Sequence, residues 1–222
     1  MVAPRRCSTP DVRIPSQPAI LSDIAFTDTV TAIQSRLGSG AGYARMEQVP
    51  GWQTTITDEL SAFIAQQDSV YLATVNADGQ PYIQHRGGPK GFLCVLDERT
   101  LGFADYRGNR QYISMGNLQD NPKIHLFMMD YAHRQRIKLW GEAEVREDDP
   151  ALVARLMPEG YAARPERAFL IHVTAWDANC PQHIPQRFDA QDVAAAVALR
   201  DQRIAALEAE LARLRGGAEA PR

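Results

Sequence analysis

Cysteine is scarce: Cys7, Cys94 and Cys180 are the three in 222 residues, widely separated and odd in number. That pattern argues against a disulfide framework of the kind small secreted domains depend on. Long apolar runs are missing too. No stretch approaches the roughly 18 residues a helix needs to cross a bilayer, and the mean hydropathy is −0.33. No apolar segment follows Arg5 and Arg6 in MVAPRRCSTP, so this start reads as a solvated tail rather than an export signal. The expected compartment is the reducing cytoplasm, with no membrane partner. Charge of one sign is not in excess either. Lys plus Arg number 24 against 27 Asp plus Glu, a net −3, which argues against a nucleic-acid reader held by bulk phosphate attraction.

Several catalytic signatures are absent as well. The chain has no P-loop, no GxSxG elbow, no HExxH and no GxGxxG after its first strand pattern. Cys180 and His183 occur as CPQH with His172 upstream, but a zinc site asks for four ligands in paired spacings. No metal is expected.

What is present is a core-forming composition, 45% hydrophobic and 23% charged. Residues 1–23 hold Pro4, Pro10, Pro15 and Pro18 and read as an irregular tail. Residues 24–68 read as a helical segment. One helix runs from Phe26 to Leu37 and stops at the glycine run GSGAG; a second, Ile56 to Gln67, gathers Ile56, Leu60, Phe63 and Ile64 on one face.

Residues 69–188 then turn strand-like. SVYLATV and PYIQHR flank the Asp78-Gly79 turn as a hairpin. GFLCVLD and TLGFAD form a second pair, KIHLFMM and RIKLWGEAEV a third, and RAFLIHVTAW a last strand. A short helix between the second and third pairs begins near Asn109 and ends at Asn121-Pro122. Strands joined mostly by tight turns favour an antiparallel barrel decorated by helices over a doubly wound sheet.

Residues 189–215 are rich in Ala, Glu, Leu and Arg. Val193, Val197, Ile204, Leu207, Leu211 and Leu214 follow steps of mostly three and four, a coiled-coil-like seam interrupted at Arg200. The helix packs on its own barrel or pairs across a dimer; residues 216–222 read as a flexible tail.

Three polar clusters could carry chemistry. The first is Gln84, His85, Arg86, Gly87, Gly88, Pro89 and Lys90, where glycines admit an anion to the backbone and arginine offers a planar fork of donors. A glycine-rich hairpin end with a solvated arginine fits the same residues. The second runs Arg107, Gly108, Asn109, Arg110, Gln111 to Ser114, a candidate phosphate seat at a helix start, or simple capping. The third is His133, Arg134, Gln135, Arg136 and Lys138, basic groups that an anion would reconcile, or a solvated hairpin. A phosphate-bearing ligand accounts for all three together.

The ordered phrases YLATVNADGQPYIQHRGG, LGFADYRGNRQYISMGNL and RQRIKLWGEAEV resemble the pyridoxamine 5′-phosphate oxidase-like, FMN-binding split-barrel family. GFLCVLDERTLGFADYRGNRQYI and AWDANCPQHIPQRF look like one particular branch of it. The resemblance implies a split barrel, a homodimer and one FMN in each of two clefts at the interface. It also implies an FMN-dependent oxidoreductase taking electrons from a reduced donor such as NAD(P)H and passing them to a small acceptor. The alternative is a dimer that stores, carries or senses flavin, haem or a deazaflavin.

Residue by residue, the family's phosphate-binding strand falls on Gln84–Lys90, and its Arg-Lys pair after an aromatic falls on Asn109-Arg110 beyond Tyr106. One positive charge is thereby missing, for which Arg86 compensates. Arg86, Arg110 and Ser114 are the expected phosphate ligands. The family's later glutamine falls near Arg136, or on Gln135 after a one-residue shift, with Arg134 or Arg136 beside the pyrimidine edge of the ring. Gln182 and Arg187 in HIPQRF would close the cleft. True pyridoxamine phosphate oxidases end in an Arg-Leu-Pro segment, where this chain has HIPQRF and a long helix, so oxidation of pyridoxamine phosphate is not the expected activity.

Overall fold

The computed structural model describes residues 24–43, 52–178 and 181–218, so the expected irregular tail, Cys7 and Cys180 lie outside the described residues. Helices α1 (Asp28–Leu37) and α2 (Asp58–Ala65) precede the sheet. Thr27 and Thr57 cap them, each side chain accepting from an amide three residues on. Both begin later than their apolar pattern does, because these threonines take extended backbone and fix the first turn.

Seven strands follow: β1 (Ser69–Val75), β2 (Pro81–Gly87), β3 (Cys94–Val95), β4 (Thr100–Tyr106), β5 (Lys123–Asp130), β6 (Gln135–Arg146) and β7 (Pro165–Ala178). Helix α3 (Ile113–Asp120) links β4 to β5, and α4 (Pro150–Leu156) links β6 to β7. The strands form one antiparallel sheet in the order β2-β1-β5-β6-β7-β4-β3. This is the split-barrel fold, a barrel left open between its two edge strands. The three expected hairpins all pair, and β7 joins them by lying between β6 and β4.

Where β6 meets β7 the register shifts between Trp140 and Gly141. A side chain at Gly141 would stand 2.4 Å from the His172 carbonyl oxygen, so the bulge admits only glycine there.

Alternation in β1 sends Val70, Leu72 and Thr74 inward, where the first two meet Leu126, Met128, Leu139, Phe169, Ile171 and Val173. Helix α2 adds Leu60 and Ile64 to this core. On the other side of β4 and β7, Leu152 and Leu156 of α4 pack on Leu96, Ala104, Ala168 and Leu170. Strand β4 is therefore covered on both faces, and it is buried through Asp105 whatever the polarity of its residues.

Two expectations change. The stretch GFLCVLD keeps only Cys94–Val95 as strand, because Phe92 closes a turn on the Pro89 carbonyl and Asp97 another on Arg99. The helix expected near Asn109 starts at Ile113, because Arg110 and Tyr112 hold the left-handed conformation, with φ of 61° and 55°.

The chain divides into two compact units: Met1–Asp130 with Gln135–Pro181, and Tyr131–Arg134 with Gln182–Arg222. The second holds helix α5 (Ala190–Ala218). Within it Arg187 donates its amide to the Tyr131 carbonyl, lies over the Tyr131 ring, and is followed after a short segment by α5. Among the described residues no helix is long and apolar enough to cross a membrane.

Candidate functional site

Strand alternation decides which members of the first polar cluster share a face. Gln84 and Arg86 point one way along β2, into a pocket also lined by Asp105 and Tyr106 of β4, the loop Gly108–Tyr112, Ser114 and Met115 of α3, and Glu166 of β7. His85 points the other way. Its ring bonds the Ser69 hydroxyl at 2.8 Å and meets Tyr71 edge-on. Gly87 and Lys90 lie outside the pocket lining.

Helix α3 is bolted to the sheet by two hydrogen bonds. Ser114 donates to Gln84 at 2.7 Å, and the buried Asn117 amide donates to the Thr74 hydroxyl at 2.9 Å. These aim the first turn of α3 at the pocket. Its N-cap is Tyr112, which makes no side-chain capping bond, so the first-turn amides have no intrahelical acceptor and no capping oxygen from that residue.

Beneath the pocket runs a buried ionic chain. Arg86 pairs with Asp105 at 2.5 Å, and its guanidinium lies over Phe169 (4.8 Å) and Phe103 (5.8 Å). Arg167, 7% exposed, reaches the other Asp105 oxygen at 3.8 Å and Glu166 at 2.9 Å, contacts the Met115 sulfur, and lies over the Tyr112 ring. Arg107 also approaches Glu166, at 3.8 Å. Burial pushes the Asp105 carboxyl up, against the pull of Arg86 and Arg167. Burial likewise lowers Arg86, opposed by Asp105, and an arginine remains charged throughout.

Among the described residues, three buried donors in or beside this chain have no acceptor: Arg86 Nε, Arg167 Nε and the Tyr106 hydroxyl. A buried donor left unpaired costs roughly 1–3 kcal/mol, so each calls for an acceptor that the protein does not supply. The Tyr106 hydroxyl is pushed up to about 12, first by burial and then by Tyr161 and Cys94. It remains a protonated donor across the physiological range. Gly88 lets this wall close: a side chain there would stand 2.7 Å from the Phe92 Cβ and 3.4 Å from the Tyr106 ring.

Arg110 stands at the mouth, exposed, its Nε donating to the Tyr112 hydroxyl at 2.7 Å, which raises its pKa. Asn109 lines the same loop and accepts from the Gln111 amide. The structure thus gathers Gln84, Arg86, Asn109, Arg110 and Ser114 in one place. It adds Asp105, Glu166 and Arg167, which sequence reasoning passed over. One signal was available for Asp105, an acid ending the otherwise apolar strand TLGFAD.

The third cluster lies on the β5–β6 hairpin. Arg134 is exposed in the turn with φ 54°, Gln135 pairs with Asp130, and Arg136 pairs with Met129 and keeps a buried Nε without a partner. Lys138 bonds Asp177 at 3.2 Å, so it is balanced within the sheet. Gln182 and Arg187 belong to the second unit, where Arg187 packs on Tyr131.

Residues 56–180, which contain the whole sheet and the pocket, match the family model described as pyridoxamine 5′-phosphate oxidase. The chain belongs to that family. No curated protein matches it. Solved structures of similar fold include Group A Streptococcus HupZ, 22% identical over 60% of this chain and 99% of its own, with a TM-score of 0.46. An FMN-binding protein from Syntrophomonas wolfei is 13% identical over 67% of this chain and 97% of its own, at 0.42. The haem storage protein HutZ from Vibrio cholerae is 16% identical over 53% and 89%, at 0.37. Membership of the pyridoxamine 5′-phosphate oxidase family fits the split barrel and leaves the ligand to be argued from the pocket.

Proposed function

We propose that this chain is an FMN-dependent oxidoreductase, acting as a homodimer, whose pocket between β2, β4 and α3 seats the flavin phosphate. The observation that carries this reading is that two residues lining the pocket, Arg86 and Tyr106, hold buried donors without acceptors among the described residues, at Arg86 Nε and the Tyr106 hydroxyl, beside a helix start without a side-chain cap. A phosphate presents several strong acceptor oxygens and suits both needs. The donor set fits the group.

Each residue then has a distinct task. Arg86 is held rigid by Asp105 and two phenylalanine faces, so its fork is aimed without loss of side-chain freedom on binding. Tyr106 supplies a neutral donor, and the first-turn amides of α3 supply oriented ones. Arg110 brings exposed positive charge to the mouth, where Asn109 adds a polar wall. Gln84 fixes Ser114 and through it the helix start. Arg136, with a buried Nε in want of an acceptor, is the proposed donor to the flavin ring. When bound, FMN supplies hydride and electron transfer, and the protein supplies position and charge.

The test is a visible spectrum of the purified protein, repeated under anaerobic conditions with NADPH and then NADH. Flavin bands that bleach faster than those of free FMN are expected. Bands that persist would favour a carrier or sensor, and a protein that stays colourless with added FMN would overturn the proposal.

A further inference from the structure

Helix α5 spans 29 residues, and every described side chain on it is exposed. Its large apolar side chains nevertheless form a line. Val193, Val197, Ile204, Leu207, Leu211 and Leu214, each 41–60% exposed, recur at alternating steps of four and three once Arg200 is counted. A line of this length left in water loses the stabilisation that an amphipathic helix draws from packing.

The heptad fixes what can cover it. Val197, Ile204 and Leu211 fall at a, and Val193, Arg200, Leu207 and Leu214 at d. Branched residues at the first two a positions with leucine at the last two d positions favour two parallel strands. The flanking charges agree. Position g holds Arg203 and Glu210, and position e holds Asp201, Glu208 and Arg215. In a parallel pair each g faces the e of the next heptad on the other helix, so Arg203 meets Glu208 and Glu210 meets Arg215. Both meetings join opposite charges, and two-fold symmetry repeats each of them. In an antiparallel pair aligned on the same layers, e faces e, which sets Glu208 against its own copy.

Arg200 has a role in this arrangement. A d side chain enters a hole bordered by the e residue of the other helix, which here is Asp201. A slip of one heptad would instead press Arg200 against a leucine or valine layer. A charged residue at one core position costs stability and specifies register.

We propose that two copies of this chain pair through α5 as a parallel, in-register coiled coil. The pairing does not rest on the flavin reading, and its test does not use the cofactor. Full-length protein with Cys7 and Cys180 replaced by serine, and buried Cys94 kept, carries Leu214→Cys. Under mild thiol–disulfide exchange this variant is expected to form a covalent dimer on a non-reducing gel. Adding Ile204→Asp puts a charge in the seam and is expected to slow the crosslink about tenfold or more. Arg203→Glu is expected to slow it, and Arg203→Glu with Glu208→Arg to restore it. Failure of Leu214→Cys to crosslink, or crosslinking that Ile204→Asp leaves unchanged, overturns the proposal. Since every substituted side chain on α5 is exposed, the barrel is untouched by these changes.

Discussion

Asp105 answers two arginines at once, and its environment makes the charge expensive to keep. Two buried cations, Arg86 and Arg167, converge on one carboxylate at the covered end of β4. Asp105→Asn preserves the shape and removes the anion between them. A loss of about 3 kcal/mol in urea unfolding is expected, the scale of breaking a buried pair from one side. An unchanged midpoint would contradict the Asp105 carboxylate as the group that balances the two arginines. The second prediction concerns Tyr106. Its hydroxyl titrates at about 12 in the fold against 10.0 when unperturbed, so the folded pKa is raised. Stability from this group is full below pH 10 and is lost as pH rises towards 12. Tyr106→Phe should flatten that alkaline decline, and a decline of unchanged slope would place its cause elsewhere.

At this scale the sequence offered the cations and withheld their balance. Arg86 and Arg110 were legible from the glycines beside them. That Arg167 stands beside Asp105 depends on β4 pairing with β7, and that Arg86 reaches Asp105 depends on β2 meeting β4, contacts between distant segments that no local pattern encodes. His85 was drawn into the cluster by proximity in sequence, yet the two-residue period of β2 turns it to the opposite face.

Among the elements, α3 decides the site. The left-handed residues Arg110 and Tyr112 delay its start, so Asn109 and Arg110 form the rim while Ile113 opens the helix. Its placement hangs on Asn117 and Ser114. Asn117→Ala leaves a buried threonine hydroxyl without its donor, and should cost about 1–3 kcal/mol by thermal unfolding, with weaker flavin binding as α3 loosens. Intact flavin affinity in a destabilised variant would show that the helix start is held by Ser114 alone. The hairpins were legible because alternation and turn residues are local signals. The late start of α3 was not, because backbone strain within RGNRQY leaves no mark in a hydropathy pattern.

For the whole molecule, an antiparallel barrel followed from counting strands and turns and its split form from the family resemblance, whereas the order that places β7 between β6 and β4 required the fold itself. That order brings β2, β4, β7 and α3 to one pocket, and the account stands on a phosphate being seated there. The most direct measurement is a fluorescence titration of cofactor-free protein with FMN and, in parallel, with riboflavin, which lacks the phosphate. FMN is expected to bind at least about tenfold more tightly. Arg110→Ala should narrow the gap by removing a charge-assisted contact worth about 1.5–3 kcal/mol. Equal affinity for the two flavins, or a gap that Arg110→Ala leaves untouched along with Arg86→Met, would contradict a phosphate seat between β2, β4 and α3.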